Sequence, residues 1–351
     1  MSGLVGHLEM KKSGPDWQNI SAMADTLEQF NIPEVNRQDI EEAICILNSN
    51  SYQLLHQSGK SLNGVFIVAS MFNHVCYQAN SRPSFGKNYA MKVIATDDIE
   101  QGQEITTSYL EPFHTNIQRR AILLRGKSFE CSCQRCADPT EFGTFASSFK
   151  CQKCEKGYML TNNSLSLSAD WFCDKCDERC PGKSAMEFDN NLAEEGKVVN
   201  RNNLANIDKF LRTYEQILHP NHIFLCQLKI WMIEGLGRLP FKGKKFEDIQ
   251  MEKVRLIREV LSKLSLFESP YSYLSGILQV ELADMLVQKL QSMFSTENLH
   301  QKDLDPFVIL ERAQEALTMA QVVFKNEDPT SQDHSLKMKI NELRMTLSNF
   351  C

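Results

Sequence analysis

The chain has no excess of positive charge, no long apolar run and no apolar segment at its start. Lys and Arg number 38 against 44 Asp and Glu, a net charge of −6. That balance excludes a chain-wide basic surface of the kind that grips phosphates, so direct nucleic-acid binding is disfavoured. No apolar run approaches the ~20 residues a membrane-spanning helix needs, and no membrane partner is expected. The opening MSGLVGHLEMKKSGPDW lacks the apolar core of a secretion signal. The expectation is an intracellular protein, in the nucleus and/or cytoplasm. Glycine is sparse beyond residue 196, which leaves few helix-breaking positions there.

Against these absences stand 351 residues, of which 42% are hydrophobic and 23% charged. That length allows two or three domains with cores of their own. Twelve cysteines are present, and nine of them fall between Cys76 and Cys180. Without a secretion signal, metal explains such clustering better than disulfides do.

Three segments follow from pattern, and together they predict an α+β fold. Residues 1–125 mix helix and strand, with helices to about residue 60 and strands from about 61. Trp17, Ile20, Ala24, Leu27 and Phe30 recur at helical spacing, as do Ile40, Ala43, Ile44 and Leu47. Asn36 and Asp39 suit a cap at the start of the second of these helices. Strands are predicted over 65–68, 89–95 and 104–109, with Gly102 in a tight turn. Residues 126–188 carry most of the cysteines and few long apolar stretches, as a small zinc-stabilised module would. Residues 189–351 read as about six helices, a helical array. Ile207, Phe210, Leu211, Tyr214, Ile217 and Leu218 form one stripe there, and Val254, Ile257, Leu261 and Leu264 another. Asp305-Pro306 is a capped helix start. Lys242-Gly243-Lys244-Lys245 reads as a solvated basic turn.

The sharpest signal is Cys151-x2-Cys154, eighteen residues, then Cys173-x2-Cys176. Paired knuckles at this separation specify a closed four-thiolate zinc site, structural rather than catalytic. Cys180 is a fifth candidate that could replace Cys176. A second group, Cys131, Cys133 and Cys136, cannot complete a tetrahedron alone. Cys76 is its natural fourth donor and His74 the competitor. A ligand from the first segment would pin the Asn73-His74 loop against Phe129-Glu130-Cys131. Cys45, Cys226 and Cys351 have no partner at metal spacing, and the first two read as buried thiols in helices.

These residues resemble a known family. Asn73-His74-Val75-Cys76-Tyr77-Gln78-Ala79-Asn80 looks like the Asn-His-Ser-Cys-x-Pro-Asn motif of SET-domain methyltransferases. The segment from Asp98 to Tyr109 looks like the family's second motif, an acidic Gly-Glu-Glu-Ile run ending in Tyr. The Cys131, Cys133, Cys136 triplet resembles the post-SET zinc motif, which in Smyd-type proteins shares its zinc with the Cys of the Asn-His motif. The run from Phe129 to Glu141 resembles the arthropod SmydA branch most. The resemblance implies a knotted, β-rich SET core that binds S-adenosylmethionine on one face and takes a protein lysine, a histone lysine among the candidates, from the other. It assigns Tyr109 as the active-site tyrosine. Asn50, Asn73, His74 and Phe129 would face the cofactor, with Asn50 at its amino-acid or ribose end. Two zinc ions would be held. The implied reaction is in-line methyl transfer from a sulfonium to a neutral lysine amine.

Some features depart from the family pattern. Val75 and Gln78-Ala79 replace its Ser and Pro, and Lys127 stands where a Tyr is common. No Gly-x-Gly segment precedes residue 40, and no MYND finger is found. The expectation is a chain lacking the N-terminal part of the SET core, with a non-catalytic zinc-held interaction scaffold as the alternative to an enzyme.

Overall fold

The computed structural model describes residues 3–55, 60–238, 245–295, 305–325 and 334–350. The basic stretch 242–244 and Cys351 lie outside them.

Three helices open the chain, α1 (Leu8–Lys12), α2 (Trp17–Glu28) and α3 (Arg37–Asn50). The Asn36 side chain accepts from Asp39 N while Asp39 bonds back to Asn36 N, so α3 starts in the expected capping box. Ile20, Ala24, Ile40, Ile44 and Cys45 close a small core between α2 and α3. Leu47 and Phe30, also on the helical pattern, are exposed.

The chain leaves α3 directly into β1 (Ser51–Leu55), which pairs antiparallel with β2 (Ser61–Val65). The expected strand over 65–68 ends at Val65. The Phe66 carbonyl accepts from Ser70 N instead and starts a 3-10 turn over Ala69–Met71. Next come β3 (Asn73–His74), β4 (Ser81–Phe85), β5 (Met91–Ala95) and β6 (Thr106–Thr107). β4 and β5 form a hairpin, and β3 pairs parallel with β6. The expected strands over 89–95 and 104–109 are thus shorter than their β-prone sequences. Lys87–Tyr89 is a 3-10 turn, and Asn80 takes over the bonding of Glu104 and Thr106. Gly102 has φ +87°, as its turn requires.

Helix α4 (Asn116–Lys127), capped by Thr115 and Gln118, leads through Ser128, at φ 61°, into the cysteine triplet and α5 (Gln134–Ala137). Strands β7 (Phe149–Lys150), β8 (Tyr158–Thr161), β9 (Trp171–Cys173) and β10 (Arg179–Cys180) make an antiparallel sheet in the order β10-β9-β8-β7. Met159, Trp171, Ile117 and Ala185 pack beside its cysteines.

The array comprises α6 (Gly182–Val198), α7 (Leu204–Glu215), α8 (Ile223–Gly237), α9 (Lys245–Leu264), α10 (Tyr273–Ser295), α11 (Pro306–Phe324) and α12 (His334–Leu347). α6 runs unbroken through residue 188, where a boundary was expected. α8 is buried nearly all round, packed between α7 and α9 and against Ala146 and Phe113. The Asp305 side chain caps α11 with Pro306 in its first turn. The array grips the earlier residues at several points. Gln78 N donates to Phe267 O at 2.6 Å, Ser269 Oγ to Thr96 O at 2.6 Å, and Arg82 Nη2 to Val323 O at 3.0 Å.

Candidate active site and metal centres

The parallel pairing of Asn73 with Thr106 and His74 with Thr107 sets the Asn-His segment beside the run that ends in Tyr109. Asn80 locks the pair: its Oδ1 accepts from Thr106 N at 2.8 Å and its Nδ2 donates to Glu104 O at 2.9 Å. Tyr109 N donates to His74 Nδ1 at 3.0 Å. Burial pushes the His74 pKa down to about 4, so the ring is neutral. With Nδ1 accepting, the ring proton sits on Nε2, which points at Cys76 Sγ from 2.9 Å.

The rings of His74, Tyr109 and Phe129 meet at centroid distances of 5.2, 6.1 and 6.4 Å. The Tyr109 hydroxyl donates to the Phe72 carbonyl, and burial raises its pKa. Asn73 donates its amide to Glu104, and Asn50 donates to the carbonyls of Val5 and Ile46 at 3.1 and 2.9 Å. The structure therefore gathers Tyr109, His74 and Phe129 closely. Asn50 reaches the same region through the Ser70 hydroxyl, which donates to its carbonyl at 3.2 Å.

Directly beneath, the sulfurs of Cys76, Cys131, Cys133 and Cys136 lie within 4.8 Å of one another. Cys76 is 3.7 Å from Cys131 and 3.6 Å from Cys136. A second set, Cys151, Cys154, Cys173 and Cys176, is equally tight, with separations of 3.7 Å for Cys151–Cys176 and Cys154–Cys173. Those spacings are far too long for disulfides. They match the edge of about 3.8 Å that a tetrahedron of roughly 2.3 Å zinc–sulfur bonds requires. Each set could hold a zinc ion. Cys180 turns away and donates to its neighbour's carbonyl. His74 Nε2 faces the Cys76 sulfur alone and is not among the four gathered ligand atoms.

The surroundings support thiolates. Gly157 N and Lys175 N donate to Cys154 and Cys173 at 3.4 Å each. A Cβ on Gly157 would lie 2.4 Å from Cys173 Sγ, so only glycine fits beneath that sulfur. Around the first set, three arginines are buried. Arg119 donates to Cys136 Sγ at 3.8 Å, Arg120 to Cys131 O at 3.4 Å and Arg135 to Cys76 O at 3.0 Å. Burial alone would raise the Glu141 carboxyl, yet Arg119 and Arg135, at 2.9 and 2.8 Å, hold it below its ordinary value. Glu141 is the one carboxylate in a buried ion pair with these arginines, with Asp189 and Glu268 as further acids in their field. Buried positive charge here would offset part of the negative charge that four thiolates leave around a divalent zinc. No local pattern marks this arginine shell, because its members gather only when the chain returns on itself. Adjacency to the cysteines was the one available hint.

Comparison with known proteins agrees with this architecture. The SET-domain family model matches residues 13–110. These residues carry a SET domain. It is similar to SET domain-containing protein SmydA-8, isoform B, of Drosophila melanogaster, at 31% identity over 180 residues, which cover 49% of this chain and 39% of that protein. It is also similar to mouse protein-lysine N-trimethyltransferase SMYD5, at 29% identity over 124 residues, or 33% of this chain and 30% of that protein. A third relative is histone-lysine N-methyltransferase SET5 of Meyerozyma guilliermondii, 42% identical over 79 residues, or 21% of this chain and 16% of that protein. The likeness to Smyd-named proteins extends over part of the chain. It spans well under half the length of each of these curated relatives.

Proposed function

We propose that the protein is an S-adenosylmethionine-dependent protein-lysine N-methyltransferase holding two zinc ions. The observation that carries this reading is the closure of Tyr109, His74 and Phe129 into one aromatic cluster over the Cys76 thiolate set. Electron-rich rings suit both a sulfonium and a lysine ammonium about to lose its proton. When bound, S-adenosylmethionine supplies the activated methyl group. Tyr109 and the Phe72 carbonyl would orient the amine and hold the electron-poor methyl by weak C–H···O contacts. Burial at the cluster disfavours the charged amine and so supports its neutral, nucleophilic form. The zinc held by Cys76 and the triplet would fix Phe129 against the Asn73-His74 segment. The second zinc would be structural. The substrate is a protein or peptide lysine, a histone lysine among the candidates, met in the nucleus and/or cytoplasm. Residues 1–125, 126–188 and 189–351 would act as SET, post-SET and helical units.

A second reading, a non-catalytic zinc-held interaction scaffold, is favoured by one observation. The amides of Asn50 and Asn73 are already committed to protein acceptors.

Calorimetric titration of the zinc-loaded chain with S-adenosylhomocysteine separates the two. Micromolar binding, with methyl transfer to a lysine peptide that Tyr109→Phe lowers by at least tenfold, is expected of the enzyme. No binding at high micromolar ligand, with about two zinc ions per chain, leaves the scaffold.

A further inference from the structure

Two lysines converge on the C-terminal end of α3. Lys11 Nζ donates to Ser49 Oγ at 2.7 Å and to Cys45 O at 3.3 Å. Lys127 Nζ donates to Ser49 O at 2.8 Å and stands 5.3 Å from the centre of the Tyr109 ring. Lys11 is only 8% exposed, and Lys127 is half-buried. Among the described residues neither ammonium has a carboxylate within ion-pair distance; of the acids near Lys11 in sequence, Glu9 is engaged by Lys12 at 2.9 Å and Asp16 by Arg125 at 2.5 Å. Burial lowers both pKa values, and the charge of Lys11 lowers that of Lys127 further, so the two cations feel each other.

Two partly desolvated ammoniums without a counter-ion are costly, and the carbonyls ending α3 offset only part of that cost. The arrangement calls for an anion. Its position narrows the choice. Ser49 adjoins Asn50, the residue read as facing the amino-acid or ribose end of the methyl donor. Lys127 itself covers Tyr109, and Phe129, two residues on, faces the same ring. The turn through Ser128 delivers both side chains to one place.

We propose that Lys127 binds the carboxylate at the amino-acid end of the methyl donor, with Lys11 behind it as a second cation that positions Ser49. The inference rests on the methyl-donor reading above. A charge-assisted bond would form between the ammonium and the carboxylate, with no covalent change. Lys127, which departs from the tyrosine common in relatives, thereby gains a role in recognition.

The test uses the full zinc-loaded chain and two ligands. S-adenosylhomocysteine carries the carboxylate; 5′-methylthioadenosine keeps the adenosine and thioether and lacks the whole amino acid. Lys127→Gln is expected to weaken S-adenosylhomocysteine by roughly ten- to a hundredfold. It should leave methylthioadenosine within about twofold and zinc content unchanged, and Lys127→Arg should restore most of the loss. Equal losses for both ligands, or unchanged or tighter S-adenosylhomocysteine binding, overturn the inference. If Lys127→Gln does not fold, wild-type protein is titrated with S-adenosylhomocysteine and its decarboxylated analogue. A tenfold preference for the carboxylate supports the inference, and equal affinity overturns it. Wild-type binding of none of these ligands removes the methyl-donor reading itself, whereas binding that ignores the carboxylate removes only the role of Lys127.

Discussion

The Arg135 guanidinium lies 3.6 Å over the Phe267 ring, which joins the shell of one cysteine cluster to the turn between α9 and α10. Arg135 also donates to Cys76 O and Glu141, so one side chain touches the cluster, its counter-charge and the helical array. Phe267 is 2% exposed, and its own carbonyl accepts from Gln78 N. The array is thus fastened to the region of the Asn-His segment through the arginine shell of the first cysteine set.

That linkage predicts a stability effect. Phe267→Ala should cost about 3–5 kcal/mol, the range for a buried aromatic truncation. Glu141→Ala should cost a similar ~3–5 kcal/mol by leaving two buried guanidiniums without their carboxylate. Urea unfolding of the zinc-loaded protein measures both, and a loss below ~1 kcal/mol for Glu141→Ala would contradict the charge balance described above.

His74 and Cys76 should separate cleanly in metal assays. Cys76→Ser is expected to remove one zinc per chain. His74→Ala should keep the zinc stoichiometry and weaken affinity for that ion by roughly 10–100-fold, as loss of an outer-shell partner does. Zinc content by mass spectrometry with chelator competition checks this. Loss of a whole equivalent from His74→Ala would make His74 a ligand.

The two cysteine sets should empty independently. Cys133→Ser and Cys154→Ser are each expected to lose one zinc and retain the other. Gly157→Ala should mimic Cys154→Ser, because its methyl group would meet Cys173 Sγ at 2.4 Å. Loss of both ions from either cysteine change would refute the two-site arrangement.

Glu268 gives a pH signature. Burial raises its pKa to about 7. A carboxyl raised above its unfolded value of 4.5 favours the fold when protonated, and that contribution is lost as pH rises through about 7. Glu268→Gln should therefore stabilise the protein at pH 8, with the gain fading between pH 7 and about 4.5. Melting temperatures across that range test the sign; a gain that grows toward acid pH would contradict it.

Much of this was legible in the residues. The Cys-x2-Cys knuckles announced that their four sulfurs would gather, because the spacing inside each knuckle lets two sulfurs face one point. Asn36 with Asp39 and Asp305 with Pro306 marked helix starts because caps are satisfied within one turn. Strand lengths were less legible: Phe66 and Tyr89 have β-prone chemistry, yet local 3-10 turns and the Asn80 side chain claimed the backbone bonds that strands would use.

The sequence by itself determined which cysteines could act together and where capped helices such as α3 and α11 would start, since both depend on neighbours a few residues apart. Only the tertiary structure decided that Cys76 rather than His74 completes the first sulfur set, that Cys176 rather than Cys180 completes the second, and that three arginines and one glutamate surround the first. It also set Lys127 over Tyr109. Those choices depend on segments distant along the chain meeting at fixed distances, and on the charge each brings into a buried space. No local pattern encodes either.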